Sequence, residues 1–397
     1  MAITTIIFDD GKGLLSPLTD LRPAFCIRTG AFTTLERLQR LSGFRIVGWE
    51  SPEQTRGLIR ELVSLPCIVD VLLEQTCLVL NGRCPLPPAD LASLPLGSAV
   101  VEQRTGDLIA AHVEPGGVAA AARSETSGLS VTATAEHVLI GRPWQVRTFR
   151  DACISHDLKV LVGCAGGRNV VVSPTAKVHP TVVLDDEAGP IVIGDHAVVR
   201  PGAIICGPAF IGSNTTVLDR CLIKPNSAIG PACKVAGEIG GTIFQGYANK
   251  AHDGHLGDSY VGEWANLGAG TTNSNLLNTY GEVIARPFGA DGSVGGNERT
   301  GERFLGTLIG DHTKLAICTR IMTGAIIGTG TMWAASAPVS STIAPFSWVT
   351  DSGTRTYALR KFSEVMETVM ARRNVTPGPA YLEAIEHLHR TSADSRL

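Results

Sequence analysis

The chain has 397 residues, with 34 Lys and Arg against 37 Asp and Glu, for a formal net charge of −3 at pH 7. With only 18% charged residues and no basic excess, it carries no electrostatic footprint for nucleic acid or an anionic membrane surface. Its length allows two or more domains, and no stretch reaches the roughly 18 apolar residues that a membrane span needs.

In chain order, the first element is a short apolar run, ITTIIF at 3–8, which ends at Asp9-Asp10-Gly11. It reads as a buried strand running into a loop. No basic segment precedes it and two acids follow it, so it does not read as a secretion signal. Leu35, Leu38 and Leu41 give Thr33 to Leu41 helical spacing. Arg45 to Trp49, Cys67 to Val71 and Cys77 to Leu80 read as further strands, and the alternation predicts an α/β domain over 1–158. Residues 113–135, rich in Ala, Gly, Ser and Thr, read as a loose excursion, and Pro143 to His156 as a linking helix.

The pattern then changes period. Val or Ile occupies positions 193, 199, 205, 211, 217, 223, 229 and 235. Four residues after each of the first seven stands a small side chain: Ala197, Ala203, Ala209, Thr215, Cys221, Ser227 and Cys233. A second run follows with Ile309, Leu315, Ile321, Ile327, Trp333 and Val339. A period of six belongs to neither a helix nor an ordinary strand; it marks a parallel β-helix, each repeat forming one flat side of a prism with its apolar residue inward. This all-β domain is predicted over 169–350. Two interruptions stand out. One follows Val235 and lasts until Val261; the other runs from Thr272 to Thr307, and both are expected to be loops leaving the prism, where binding groups usually sit. An apolar stripe at Leu359, Phe362, Met366, Val369 and Met370 predicts a helical tail over 356–397, broken by Pro377 and Pro379 before a last helix from Ala380 to His389. The ten cysteines form no CxxC pair, and Cys206, Cys221 and Cys233 are read as falling on the repeat register, so they read as small buried hydrophobes in a reducing, cytoplasmic setting.

The segment Lys250-Ala251-His252-Asp253-Gly254-His255-Leu256-Gly257-Asp258, followed by Asn266-Leu267-Gly268-Ala269-Gly270-Thr271 and Asn273-Ser274-Asn275, resembles a known family. It is similar to the acetyltransferase half of the bifunctional N-acetylglucosamine-1-phosphate uridyltransferase/glucosamine-1-phosphate acetyltransferases, and to a shorter branch that also carries Pro345–Trp348 near its end. The resemblance covers roughly 169–350. It implies a left-handed β-helix, a homotrimer with sites between neighbouring prisms, and acetyl-CoA as donor to an amino-sugar 1-phosphate. Residue by residue it implies His252 as general base, and Arg200, with Lys250, holding the sugar phosphate. Asn266 and Asn275 would line the amino-sugar pocket, with Asn275 on the catalytic side. Ala269 would present its N–H to the thioester carbonyl, and Ala335 would lie along the coenzyme A cleft. Two positions depart from the family: a lysine becomes Gly240 and a tyrosine becomes His255.

The residue types suit that chemistry. Acyl transfer to an amine needs a base for the amine proton, which imidazole supplies near neutral pH. The tetrahedral oxyanion needs a fixed N–H donor. A sugar phosphate suits the planar fork of arginine. A zinc site is the other reading of His252 and His255, which would need a third ligand. A solvated loop histidine is the bland one.

Residues 11–40 resemble, faintly, the start of sugar nucleotidyltransferases: Pro17-Leu18-Thr19 and Pro23 are present. The family's phosphate-binding arginine and lysine become Leu14 and Ala24, and Arg83 stands where a strand-end aspartate would hold Mg²⁺. Nucleotidyl transfer would then have to rely on other groups such as Asp9, Asp10, Lys12, Arg22 and Arg28, with Mg²⁺ only if the domain is active; the alternative is a degenerate domain in a non-catalytic nucleotide-sugar-binding or scaffold protein.

Overall fold

The computed structural model describes residues 2–394; the end of the tail expected over 356–397 lies outside them. The first unit is a six-stranded mixed sheet of β1 (Ile3–Phe8), β2 (Phe44–Glu50), β3 (Cys77–Asn81), β4 (Ser98–Glu102), β5 (Leu108–Val113) and β6 (Ser130–Thr134), in the order β2-β1-β3-β5-β4-β6. Its helices are α1 (Thr34–Leu38), α2 (Glu53–Leu62) and α3 (Val118–Ala122). β1 and β3 lie in the middle and are buried along most of their length, which is why they read as plain apolar runs. α1 starts at Thr33, whose hydroxyl accepts from the Glu36 N–H while the Glu36 carboxylate accepts from the Thr33 N–H, a reciprocal cap.

Two expectations fail here. Cys67 to Val71 is not a strand: it bridges Trp49 once and turns as a short 3₁₀ segment at Ile68–Asp70, with Val69 and Val71 exposed. A strand there would have had one apolar face in water. Residues 113–135 are ordered, not a loose excursion, because α3 closes one side of the sheet with Val118, Ala121 and Ala122 buried and β6 pairs with β4.

Beyond the long helix α4 (Gln145–Cys164) the chain winds into a left-handed parallel β-helix. Its three faces are sheets of eight strands, from Val170–Val172 to Ala325–Ile327; ten strands, from Lys177–Val178 to Gly353–Thr356; and five strands, from Val183–Asp185 to His255–Gly257. Successive coils stack Ile193 on Ile211 on Ile229, Val199 on Val217 on Val235, and Ile205 on Ile223 on Ile239. These side chains meet in one apolar column at 0–1% exposure. Cys221 and Cys233 belong to it, whereas Cys206 is only half buried, since Ile205 holds the inward position beside it.

The first interruption is not a loop. The prism continues through it with shortened coils, and Ile239, Phe244, Lys250 and Leu256 occupy inward positions five or six residues apart. The clock loses its phase because corners lose residues and because one inward residue is a lysine. The second interruption does leave the prism, as an excursion that forms an antiparallel pair, Ile284–Ala285 with Glu298–Arg299.

The eight-stranded face is apolar outside as well as inside. Val192, Ala228, Ile243, Tyr260, Leu308 and Ile326 are buried against Leu15, Leu18, Trp144, Ile154 and Leu158. The first unit and α4 therefore dock on this face. Polar contacts fix the register: Gln245 accepts from the Arg28 N–H and donates to the Cys26 carbonyl, and Arg22 pairs with Asp311 at 2.8 Å and Glu263 at 3.2 Å. The tail forms α5 (Leu359–Ala371) and α6 (Pro379–Asp394), whose Phe362, Met366, Met370, Tyr381 and Ile385 cover Trp264 and Phe346 at one corner of the prism. Among the described residues no helix is long and apolar enough to cross a membrane.

Arg37 on α1 and Asp157 on α4 form a two-point ion pair, at 2.6 and 2.8 Å, with both side chains at 0% exposure. Removing one partner leaves a buried charge unmatched, so Asp157→Ala should cost about 3–5 kcal/mol in urea unfolding. The Arg37→Met/Asp157→Leu double variant should lose much less, and equal losses would show that the pair's charges are not what matters.

Candidate functional site

Two groups of expected site residues exist, one in each unit. At the C-terminal edge of the first sheet, Asp10 follows β1, Arg83 follows β3 and Asp107 precedes β5. The Arg83 guanidinium lies between the two acids, with Nε 2.9 Å from Asp10 Oδ1, one Nη 2.6 Å from Asp10 Oδ2, and the same Nη 2.7 Å from Asp107 Oδ2. Asn81 donates to Asp10 and Lys12 reaches Asp107 at 3.3 Å. Burial alone would raise the Asp10 carboxyl, but the hydrogen bonds and charge of Arg83 outweigh it and hold it below the usual range. Asp10 is thus engaged by an internal cation at 1% side-chain exposure. A divalent ion at these acids would have to displace a buried guanidinium, so the residues present do not fit Mg²⁺. Arg22 is not at this site: it is buried in the seam between the two units, against Asp311 and Glu263, and cannot serve a nucleotide here. Lys12 remains exposed beside the edge.

In the prism, the corner between the ten-stranded and five-stranded faces stacks one turn per coil. His252 follows Lys250 on one coil, Ala269 follows Leu267 on the next, and Ala335 follows Trp333 two coils further on, with Ile317 between them. His252 is exposed; Ala269 and Ala335 are half buried. Gly270, at φ +72°, lets the chain turn there against Cys318. Asn266 lies on the ten-stranded face, where its side-chain oxygen accepts from Asn249 at 2.8 Å. Asn275 lies on the other side of the corner, donating to Asp258 Oδ2 at 2.8 Å, while Arg150 donates to Asp258 Oδ1 at 2.8 Å.

The two expected phosphate-binding cations are not with them. Arg200 sits on the coil of Val199, three coils from that of Lys250, or about 14 Å along the axis at strand spacing. There it meets Asp219 at 3.4 Å, and both side chains are half exposed. Lys250 points into the prism at 1% exposure and donates to the carbonyls of Ala236, His252 and Asp253 at 3.0–3.2 Å. It pins the backbone on either side of His252 and cannot reach a ligand.

Other residues take up the space beside the corner. Lys224 lays its stem over Gly240 and pairs with Glu238, which His255 approaches at 3.3 Å. A Cβ at Gly257 would stand 2.6 Å from His255 Nε2 and 2.8 Å from Asn275 Nδ2, so both nitrogens converge over a bare glycine. Lys224 and Glu238 were not singled out from the sequence, because the coil from Lys224 to Gly240 is two residues shorter than the regular one and a count by six does not bring them together. Asn273, inward and 6% exposed, exchanges hydrogen bonds with the Gly257 backbone and locks that coil.

Residues 5–164 match a family described as sugar nucleotidyl transferase. The bifunctional protein GlmU of Bordetella parapertussis is 24% identical over 233 residues, covering 53% of this chain and 46% of that protein. The chain thus spans about half the length of that curated relative. An uncharacterized acetyltransferase, YaiX, of Escherichia coli is 31% identical over 152 residues, 38% of this chain and 64% of its own. Among solved structures, the UDP-N-acetylglucosamine acyltransferase of Francisella novicida has 16% identity and a TM-score of 0.28, covering 57% of this chain and 86% of that one.

Burial pushes the Lys250 ammonium from its usual 10.5 down to about 8. The unfolded chain then holds more protons than the folded one between about pH 8 and 10.5, and this group's contribution to stability rises with pH across that window. Urea unfolding of the wild type and Lys250→Met at about pH 7.5 and 10 isolates the effect. The variant should lose that rise, and an unchanged difference between the two proteins would place the lysine outside the core.

Proposed function

We propose that this GlmU-like chain, a sugar-nucleotidyltransferase-type unit joined to a hexapeptide β-helix, is an acetyl-CoA-dependent N-acetyltransferase acting on an amino-sugar 1-phosphate in nucleotide-sugar synthesis. The observation that carries the reading is the corner column. His252 stands exposed one coil from the Ala269 backbone, its loop pinned by Lys250. His252 takes a proton from the sugar amine as the nitrogen attacks the thioester carbonyl. The C–N bond forms, the oxyanion is held by the Ala269 N–H, and collapse breaks the C–S bond with the thiolate leaving to be protonated. Lys224 and His255, beside Asn275, replace Arg200 and Lys250 as the groups facing the phosphate. Asn266 and Asn275 lie on opposite sides of the corner, which supports a site completed by a neighbouring prism in a homotrimer. The substrates would place the reaction in the cytoplasm.

For the first unit a second reading is favoured by one observation, the buried Arg83 between Asp10 and Asp107. Magnesium-dependent uridylyl transfer depends on a held cation at the triphosphate. This unit is proposed to bind nucleotide sugar or to support assembly, without the transfer chemistry.

His252→Ala should keep the fold and an assembly in multiples of three protomers while thiol release from acetyl-CoA, with glucosamine 1-phosphate as acceptor, falls by about 10²–10⁴-fold. Near-normal turnover, or a fully active monomer, would reject the respective half of the proposal. Pyrophosphate release from UTP and N-acetylglucosamine 1-phosphate with Mg²⁺ should stay at background. Robust Mg²⁺-dependent formation of a UDP-sugar would overturn the reading of Arg83.

A further inference from the structure

The ten-stranded face carries a cleft of about 550 Å³ between the prism and α5. Its floor is one outward row of the sheet, in which Lys234, Asn249, Asn266 and Lys314 are register partners on successive strands. Its other wall holds Val369, Arg372 and Arg373. Tyr247 and Trp264, stacked with ring centroids 4.3 Å apart, close the side nearest the corner that α5 covers.

The cleft is lined by four cations and no acid. Among the described residues no carboxylate comes within ion-pair distance of Lys234, Lys314, Arg372 or Arg373, although most other buried or half-buried cations of the molecule are matched by one. Lys314 donates to the Trp264 carbonyl, and burial, with no opposing charge, lowers its ammonium to about 8. Arg373 donates to the Ala232 carbonyl. The helix macrodipole accounts for cations at the end of α5, but not for the two lysines facing them from the sheet. Asn249 Oδ1 is buried on the floor with no donor. Lys234 and Lys314 are three strands apart, about 14 Å, too far for one phosphate to meet both.

We propose that this cleft binds a nucleotide carrying at least two phosphate charges, its phosphates spanning the row from Lys234 to Lys314 under the arginines of α5 and its planar base against the Tyr247–Trp264 pair. The assignment gives α5 a ligand-binding part outside the β-helix. It rests on the charges of the cleft, not on the acyl-transfer reading. A binding measurement and a turnover measurement can therefore fail separately.

Such a group occurs in the nucleotide end of coenzyme A and in nucleoside diphosphate sugars. Calorimetry on the full chain with 3′,5′-ADP and with UDP distinguishes them, and the tighter ligand identifies the source. Binding of at least one is expected at about 0.1 M salt, weakening as salt rises. The exposed substitutions Lys234→Ala and Arg372→Ala should each weaken it about tenfold and leave the melting temperature unchanged. Absence of binding by both nucleotides, or binding that neither substitution weakens, would overturn the proposal.

Discussion

Everything in this molecule is arranged around one face of the prism that cannot meet water. In most coils the inward row supplies the core and the outward row is free to be polar. On the eight-stranded face both rows are apolar, from Val192 to Ile326. Leaving that surface bare would forfeit about 25 cal/mol for each Å² of apolar area, so α4 and the first unit are held against it. Gln245, Arg28, Arg22 and Asp311 then fix where the two units meet. With that face covered and its neighbouring corner closed by α5 and α6, the polar chemistry is confined to the ten-stranded and five-stranded faces and the corner between them.

That confinement explains the roles of residues that look similar in sequence. Two lysines, Lys250 and Lys314, lie on one sheet and both are desolvated, yet they face opposite ways. Lys250 takes an inward position, where three carbonyls replace water around its ammonium. Lys314 takes an outward one and has a single carbonyl partner. The first holds the backbone around His252, and the second is left with charge to offer. The two units also handle buried charge differently. In the first, Arg37 with Asp157 and Arg83 with Asp10 are matched pairs, whereas the cleft under α5 gathers cations without a counterion.

Arg83 shows how a buried cation fills a sheet edge at which acids converge. The strand ends that would present acids to a cation are intact, and Asp10, Asn81 and Asp107 still converge. A guanidinium of planar shape fills the space between them and takes up their charge, which stabilises the sheet edge by the same attraction that a metal would have used.

The six-residue period by itself determined the β-helix, because an inward side chain in every repeat is what a closed apolar column needs. β1, β2 and β3, α4 and the tail helix α5 were also legible, from apolar runs and helical stripes. The column's passage through 236–260 was not, since Lys250 occupies an inward position that an apolar pattern cannot reveal, and corners there lose residues. Nor was the separation of Arg200 from His252, which depends on counting stacked coils and not residues. Short motifs marked His252, Ala269, Asn266 and Asn275, but only the winding of the chain decided that the two asparagines face different sides of one corner. The sequence could show Arg83 in a metal ligand's place; its closure over Asp10 and Asp107 was decided by three strand ends meeting at one edge of a sheet. The cleft of four cations was invisible for the same reason: its members lie between 234 and 373, and only packing α5 on the prism brings them together.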